Sequence, residues 1–358
     1  MSTKKTLVLL FGGISSEHDA SKKSFEHVLS RLTEKKILEI FATIKIAYIS
    51  REGKVLFTPY EQKHPAAWYA RQPHSITIID LLAHLTQPNI FVFSLLHGQH
   101  GEDGCMQGVA KFLGVSGSFG TVLSAAVAMS KSHCNTFVAG LGTEVHIPHS
   151  QIVSAEAAIS TAIAAWRPGE KVVIKPSSLG ASILTELHTI GPDNKTIAEL
   201  LKKILAYDST ALLQEFIAGE EYSCGCLEEH GVVTALPLIQ VITEQQFFGH
   251  SEKHTLGKNE ERVIMPEQES KIHSRIRHLS ERLFQEIGLQ HMARFDFRVA
   301  GDKLYFLEVN PLPGMMENSL FPKMLRAAGK NIEDIVILTY WNVQQLSKKV
   351  TEFRYHID

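Results

Sequence analysis

The chain has 358 residues, more than one ordinary hydrophobic core supports, and this length fits two or three domains packed on each other. Hydrophobic residues make up 44% of the chain and charged residues 21%, which excludes an intrinsically disordered protein. The 36 basic and 38 acidic residues give a formal net charge of −2, so no overall positive charge attracts nucleic acid or an anionic membrane.

The N-terminus and the spacing of the cysteines indicate in which cellular compartment the protein works. Residues 1–10 lead into an apolar stretch without the features of a signal peptide, and no apolar run approaches the length of a membrane span. The four cysteines lack the CxxC spacing of zinc or redox sites: Cys105, Cys134, Cys224 and Cys226. We therefore expect a cytoplasmic protein with reduced, buried thiols.

The first third of the chain has the pattern of an open parallel α/β sheet. An apolar strand at 7–11 breaks at Gly12-Gly13 and is followed by a helical pattern at 19–32. Residues 44–49 and 90–96 are also typical of buried parallel strands, with a helical stretch at 79–85 between them. We assign residues 1–123 to this first domain.

The rest of the chain divides into two α+β units. A central unit at 124–213 contains predicted strands at 171–175 and 211–217, which flank a helix at 195–205. A C-terminal unit at 214–358 contains a long loop at 244–262, of the kind that closes active sites. Two strands at 292–299 and 304–309 follow, then helices from about Phe321 and Ile332.

Three oxygen-bearing side chains converge on the predicted hairpin. Alternation along the two strands places Asp296, Glu308 and Asn310 on one face. Carboxylates crowded on a sheet face repel each other unless a cation joins them, and hard oxygen donors suit Mg²⁺, with Mn²⁺ as an alternative. The other interpretation is a polar sheet face with solvated acids. The apolar neighbours favour the metal site.

Two loops carry weaker signals. Pro311–Gly314 directly follows the ligand strand, and the Gly314 N–H can approach an oxyanion, although a plain turn explains the same residues. Lys175–Ser182 follows a buried strand with a lysine and small residues, which suits either phosphate binding or a surface turn. Neither GxxxxGK[ST] nor GxGxxG occurs, so the common nucleotide motifs do not explain the chain.

Two further loops lie at the carboxyl edge of the first sheet, where open α/β folds bind ligands. Residues 12–18 contain Glu17, a candidate for holding an ammonium group. Residues 97–104, with the sequence His-Gly-Gln-His-Gly-Glu-Asp-Gly, contain histidines and acids that allow a metal site. The glycines favour a tight loop and a helix cap instead.

Taken in order, these segments resemble the D-alanine:D-alanine ligase branch of the ATP-grasp superfamily over nearly the whole chain. Five motifs carry the resemblance: Phe11–His18, Leu96–Gly104, Lys175-Pro-Ser, Arg294-Phe-Asp296 and Glu308–Gly314. It implies a cytoplasmic ligase with a three-domain α/β ATP-grasp fold that joins two D-alanines through an acyl phosphate, for peptidoglycan synthesis. It also implies a homodimer formed through the first domain.

The resemblance assigns the ATP-binding residues: Lys131, Lys175 and the lid lysine Lys253 for the phosphates, Gln214, Glu215 and Ile217 for the adenine hinge, and Glu221 for the ribose. It assigns Mg²⁺ to Asp296, Glu308 and Asn310, in agreement with the hairpin argument. It assigns catalytic and substrate contacts to Glu17, Arg294, Gly314, Ser319, His97, Leu320 and His254. Arg294 and the Gly314 N–H match the position of the oxyanion, and Ser319 with Leu320 that of the second substrate's carboxylate.

Two positions depart from the family pattern. Ala181 stands where a serine is expected, and His254 where a lid tyrosine is expected, while His250 replaces another lid aromatic. A lid histidine is similar to that of the D-alanine:D-lactate ligases, in which a cationic imidazole disfavours an ammonium acceptor. The alternative function is therefore ligation of D-alanine to D-lactate or another acceptor by the same fold.

Overall fold

The computed structural model describes residues 5–32, 35–243 and 259–349. These residues form three β-sheets with helices packed against them. Within the described ranges, no helix is both long enough and apolar enough to cross a membrane.

The first sheet has the order β3-β2-β1-β4. Its strands are β1 (Lys5–Gly12), β2 (Phe41–Ile49), β3 (Val55–Pro59) and β4 (Ile90–Ser94). Strand β1 runs parallel to β2 and β4, as predicted for these three strands, whereas β3 was not predicted and is antiparallel to β2. The reason is the connection at 50–54, which is too short for the crossover that a parallel pair needs.

Helices cover both faces of this sheet. They are α1 (His18–Arg31), α2 (Lys35–Ile40), a 3₁₀ helix (Ala66–Ala70), α3 (Ile78–Leu85) and α4 (Cys105–Leu113). Strand β1 is buried on both faces, with Leu7 and Leu9 in one core cluster and Val8 and Leu10 in another. This two-sided burial accounts for the uninterrupted apolar run in the sequence.

The second sheet is antiparallel and has the order β5-β8-β6-β7. Its strands are β5 (Ser150–Val153), β6 (Lys171–Pro176), β7 (Glu186–Thr189) and β8 (Ala211–Glu215). The helices of this part are α5 (Val122–Met129), α6 (Lys131–Gly140), a 3₁₀ helix (Glu156–Ala158), α7 (Ile159–Ala164) and α8 (Lys195–Leu205). Val172 and Ile174 of β6 point into the core, so alternation leaves Val173 and Lys175 on the opposite face.

The third sheet has the order β12-β11-β9-β13-β14, and β10 pairs with β9. Its strands are β9 (Glu220–Glu229), β10 (Val232–Ala235), β11 (Leu238–Thr243), β12 (Asn259–Ile264), β13 (Met292–Ala300) and β14 (Lys303–Asn310). A 3₁₀ helix (Pro266–Gln268) and three helices accompany it: α9 (Lys271–Ile287), α10 (Leu320–Ala327) and α11 (Ile332–Lys349).

The boundaries of one loop and one domain, and the burial of one thiol, differ from the predictions. The loop predicted at 244–262 ends earlier, because residues 259–262 already belong to β12 and pair with β11, while residues 244–258 lie outside the described ranges. The predicted domain limit at 213/214 falls inside β8, and the limits stay a prediction. The prediction of four buried thiols is wrong for Cys105, which is exposed at the start of α4.

The hairpin β13–β14 contains one irregularity that shapes the site. Asp296 pairs with Glu308, whereas Phe297 pairs with Phe306, so Leu307 is an extra residue without a partner position. The β-bulge lies beside the cleft between the second and third sheets, because Asp296, Leu307 and Glu308 all line that cleft. Phe297 and Phe306 are fully buried in the core.

Candidate active site

A cleft lies between the second and third sheets, and both sheets contribute to its walls. Lys175 extends from β6 and Asp296 from β13. Eight residues predicted from the sequence line this one cleft: Lys131, Lys175, Gln214, Glu215, Ile217, Glu221, Asp296 and Glu308. The fold therefore brings the predicted phosphate, hinge, ribose and metal residues together.

Lys131 joins the two walls of the cleft at the start of α6. Its Nζ donates to the Leu179 carbonyl at 2.9 Å and lies 3.6 Å from Glu308 Oε2. Its backbone N–H donates to the Ser177 carbonyl at 2.9 Å, which fixes the start of the helix against the loop after β6. Lys175 is buried with 8% exposure. Two cationic side chains, Lys131 and Lys175, thus line a cleft that also contains the Asp296 and Glu308 carboxylates, and Lys131 lies next to Glu308.

The hinge segment follows β8 and is tied to both sheets. The Phe216 N–H donates to the Lys171 carbonyl at 3.0 Å, and the Ile217 carbonyl accepts from Arg298 Nη1 at 2.9 Å. Arg298 Nη2 donates to Glu221 Oε2 at 2.8 Å. Arg298 also stacks 5.2 Å from the centre of the Phe216 ring. It therefore holds the predicted hinge and ribose residues in one arrangement.

The sequence analysis missed Arg298, which lines the cleft. Its signal was available, because Arg298 lies two residues beyond Asp296 on β13 and alternation places both on the same face. Its partners were not predictable, since Ile217 and Glu221 reach it only through the packing of the third sheet.

The predicted metal ligands share one face of the hairpin. Asp296, with 7% exposure, accepts two hydrogen bonds from Arg294, at 3.0 Å from Nε and at 2.8 Å from Nη2. Asn310 Nδ2 donates to Asp296 Oδ2 at 3.3 Å, and Ser223 Oγ donates to Oδ1 at 2.5 Å. Asp296 is thus buried, unlike the solvated acid of the alternative interpretation.

The donor set fits a hard divalent cation, because two carboxylates lie at paired positions of the hairpin and the Asn310 amide contacts one of them on the same face. In this structure Arg294 is the cationic partner of Asp296. Burial lowers the pKa of Arg294, but Asp296, Glu308 and Glu102 outweigh this effect and raise it. The guanidinium is therefore permanently charged among three acids.

Glu17 lies where the first domain meets the loop after β6. A Cβ atom added to Gly180 would lie 2.3 Å from Glu17 Oε1, and one added to Gly98 would lie 2.9 Å from the same atom. A side chain at either position would have to move the flexible end of Glu17, so the two glycines leave room for the carboxylate where it lies. Ser15, which orders this loop, donates from Oγ to the His97 carbonyl at 2.5 Å.

His97 is buried, with its ring facing α1 and the neighbouring loop. Nε2 lies 3.0 Å from Ser24 Oγ, and Nδ1 lies 3.9 Å from Glu102 Oε2. Ser24 Oγ also accepts the Met315 N–H at 3.2 Å, so the ring is linked to the turn after β14. Burial lowers the pKa of His97 to about 4, which keeps the imidazole neutral near neutral pH.

Glu102 was missed as a site residue, although it lies within the quoted motif. Its Oε2 accepts the Gly98 N–H at 2.6 Å, and the Leu312 N–H also stabilises the carboxylate. Burial and then the charge of Glu17 raise the pKa of Glu102 to about 8, against these hydrogen bonds and Arg294. Glu102 therefore connects the first domain to the turn after β14, mainly in its protonated form at neutral pH.

This pKa predicts how stability depends on pH. As pH rises from about 4.5 to about 8, the unfolded chain loses the Glu102 proton while the folded chain keeps it, so the free energy of unfolding decreases. Glu102→Gln keeps a neutral acceptor for Gly98. We expect the melting temperature of the variant minus that of the native chain to increase by roughly 2 °C or more between about pH 4.5 and pH 8. Above about pH 8 this difference should stay constant.

Differential scanning fluorimetry from about pH 5 to pH 9 measures this difference. Glu26→Gln, at an exposed position of α1, is the matched control and should show no trend. The pH dependence that His97 contributes is present in both proteins and therefore drops out of the difference between their melting temperatures. A difference that does not change with pH would contradict a raised pKa.

The turn after β14 brings three predicted residues together. A Cβ atom on Gly314 would lie 3.3 Å from Ser319 Oγ, which places the glycine backbone beside that hydroxyl. Ser319 occupies the N-cap position of α10 without a capping hydrogen bond from its side chain, and Leu320 is the first residue of the helix. The Ser319 N–H donates to the Met316 carbonyl at 2.9 Å. The first turn of α10 thus faces the same turn that Glu102 and Ser24 hold.

Several predicted residues remain to be placed. Lys253, His254 and His250 lie outside the described residues. Ala181 and Ser182 both line the cleft, and both have positive φ angles, of 51° and 55°. Such angles are uncommon for residues other than glycine and cluster at functional sites.

Comparison with known proteins identifies the family. Models described as the N-terminus and the C-terminus of D-ala D-ala ligase match residues 6–118 and 150–338. A D-alanine–D-alanine ligase of Fervidobacterium nodosum is 30% identical over 257 residues, which cover 69% of this chain and 79% of the relative. The chain belongs to the D-alanine–D-alanine ligase family. The protein is therefore a ligase, and the resemblance drawn from the five motifs is confirmed.

Solved structures of D-alanine ligases share the fold. The VanG D-Ala:D-Ser ligase from Enterococcus faecalis superimposes with a TM-score of 0.76 at 21% identity, covering 95% of this chain and 100% of that chain. The D-alanine–D-alanine ligase from Bacillus anthracis complexed with ATP gives a TM-score of 0.70 at 22% identity, covering 96% and 99%. The predicted α/β fold of the ATP-grasp type is confirmed.

Proposed function

We propose that this ligase joins two D-alanines to D-alanyl-D-alanine at the expense of ATP, through an acyl phosphate, for peptidoglycan synthesis. The observation that carries the proposal is that the charged cleft and the loop with Glu17 adjoin each other in a chain of this family. The cleft with Lys131, Lys175, Asp296 and Glu308 opens towards Glu17, which packs against Gly180 of the same cleft.

The nucleotide half of the site is proposed from charge and position. Lys131 and Lys175 hold the phosphates, Gln214 to Ile217 form the hinge beside the adenine, and Glu221 contacts the ribose. Asp296, Glu308 and Asn310 hold Mg²⁺, which supplies positive charge that neutralises the transferring phosphoryl oxygens. An ATP-complexed relative with the same fold supports this use of the cleft.

The substrate half is proposed from the loops around Arg294. Glu17 receives the ammonium group of the first D-alanine, and His97 positions this loop through its carbonyl and its ring. The carboxylate of that substrate attacks the γ-phosphate, forming an acyl phosphate and releasing ADP. The amine of the second D-alanine attacks the carbonyl carbon and phosphate leaves, while Arg294 and the Gly314 N–H stabilise the oxyanion. Ser319 and Leu320 receive the second carboxylate.

The acceptor is proposed to be D-alanine. The family models and the curated relatives carry that name, and the alternative of a D-lactate acceptor is not favoured. The fold alone does not decide the acceptor, since the structural neighbours include a D-Ala:D-Ser ligase.

The decisive experiment is ATP consumption by the purified chain with Mg²⁺ and D-alanine. We expect one ADP and one phosphate for each D-alanyl-D-alanine, identified by mass spectrometry, and at least roughly tenfold lower kcat/KM for L-alanine, D-serine or D-lactate as acceptor. Equal or faster ligation of D-lactate would overturn the D-alanine assignment. ATP hydrolysis without a joined product would overturn the ligase mechanism.

Two coarser properties belong to the same proposal. We propose a cytoplasmic location, where ATP is available, and a homodimer formed through the first domain. Exposed apolar side chains on two helices that touch each other support the dimer, since Phe112 on α4 is 90% exposed and Leu123 on α5 is 71% exposed.

A further inference from the structure

A cluster of three potential metal ligands lies away from the proposed cleft, where the loop after β4 enters α4. The side-chain donor atoms of His100, Asp103 and Cys105 all lie within 4.8 Å of one another. His100 and Cys105 are exposed and Asp103 is half-buried. None of the three lines the cleft between the second and third sheets. We infer that these side chains bind one Zn²⁺ ion.

The ligand backbone is held in place before any ion arrives. Asp103 Oδ2 accepts the His100 N–H at 2.8 Å, and Oδ1 accepts the Cys105 N–H at 3.0 Å. The Met106 N–H donates to the His100 carbonyl at 3.1 Å. Each carboxylate oxygen keeps a further lone pair for a cation. The same hydrogen bonds that shape the loop therefore orient the carboxylate between the other two ligands.

The backbone of His100 is also unusual. Its φ angle is 67°, in the left-handed region that residues other than glycine seldom adopt. Such a conformation persists only where the surrounding structure fixes it, here through the bonds of Asp103 and Met106. It directs a histidine, and not a glycine, to the point where Asp103 and Cys105 converge.

The donor atoms select the ion. A thiolate, an imidazole and a carboxylate suit Zn²⁺, whereas Mg²⁺ and Ca²⁺ prefer oxygen donors alone. The thiolate and the carboxylate together neutralise the charge of Zn²⁺. Three protein ligands on an exposed surface leave the fourth tetrahedral position to solvent. Cys105 is the only candidate thiol, because Cys134, Cys224 and Cys226 are buried.

The metal competes with a proton at this site. The hydrogen bond between Cys105 and the Asp103 carboxylate raises the pKa of the thiol. Zn²⁺ displaces that proton, so its affinity increases with pH.

The site has a structural consequence for the neighbouring loop. His97 and Glu102 lie on the same turn, and the Glu102 N–H donates to the Gly98 carbonyl at 2.9 Å. An ion that joins His100 to Cys105 therefore closes a ring of the chain around Glu102. Binding itself does not depend on the proposed ligase reaction.

The test titrates the full-length chain, without an affinity tag, with Zn²⁺ in competition with a chromophoric chelator. We expect one high-affinity ion per chain. Cys105→Ser, Asp103→Asn and His100→Asn should each weaken binding at least about tenfold. Asparagine tolerates the left-handed backbone at position 100. His278→Ala removes an exposed histidine of α9 and serves as the matched control with unchanged affinity.

Co²⁺ provides an independent spectroscopic readout. The native chain should show a thiolate-to-cobalt charge-transfer band in the near ultraviolet, and Cys105→Ser should lack it while keeping the native circular dichroism spectrum. The inference is overturned if no stoichiometric ion binds, if the three variants bind as tightly as the native chain, or if the cobalt complex shows no thiolate band.

Discussion

Glu308→Gln is expected to lower turnover at least roughly 100-fold, because loss of a direct ligand should exceed the roughly 10- to 100-fold effect of changing a residue behind one. Glu308 is paired with Asp296 across the hairpin and lies 3.6 Å from Lys131 Nζ. The amide keeps the volume of the side chain but removes the negative charge that a hard cation requires. The measurement is the rate of ADP formation at increasing Mg²⁺ concentration.

Asp302→Asn is the matched control for this change. It is the same kind of substitution on the same hairpin, at an exposed turn position away from the cleft, and it should leave turnover unchanged. The melting temperature shows that both variants fold. Native turnover of Glu308→Gln at limiting Mg²⁺ would exclude Glu308 as a metal ligand.

Arg294→Ala is expected to cost about 3 kcal/mol of transition-state stabilisation, roughly a hundredfold in kcat/KM. Arg294 is a partly buried cation that binds Asp296 with two hydrogen bonds. Removing it takes away the proposed oxyanion donor and also leaves Asp296 without its cationic partner. Arg294→Lys should recover only part of the loss, since an ammonium group does not reproduce the planar fork.

The two roles of Arg294 are separable by Mg²⁺. If Arg294 only held Asp296 in place, a high Mg²⁺ concentration would restore the activity of Arg294→Ala. Ser223→Ala serves as the control, because it removes another hydrogen bond to Asp296 without removing a cation. We expect Mg²⁺ to restore Ser223→Ala and not Arg294→Ala, and recovery of both would place Arg294 outside the oxyanion site.

The elements and the shared face of Asp296 and Glu308 were predictable because local patterns specify them. The helix predicted at 195–205 matches α8, and the paired positions of Asp296 and Glu308 follow from the alternation of two neighbouring strands. The direction of β3 was not predicted, since the parallel pattern of β1 and β2 says nothing about a short edge strand.

The parts that escaped prediction depend on contacts distant in sequence. Glu102 meets Leu312, more than two hundred residues away in the chain, only because the first domain packs against the turn after β14. The exposure of Cys105 likewise follows from the direction in which α4 leaves its loop. Composition and spacing carry no information on either point.

The extra residue at Leu307 changes what a single strand can present to a ligand. In a regular strand neighbouring side chains face opposite sides, so an apolar surface and a carboxylate on one side are at least two residues apart. Here Leu307 and Glu308 are consecutive and both line the cleft. One strand thus presents an apolar side chain and a carboxylate from neighbouring residues to the same cleft. Deletion of Leu307 would keep the pairing of Asp296 with Glu308 but remove the apolar side chain next to Glu308 in the cleft.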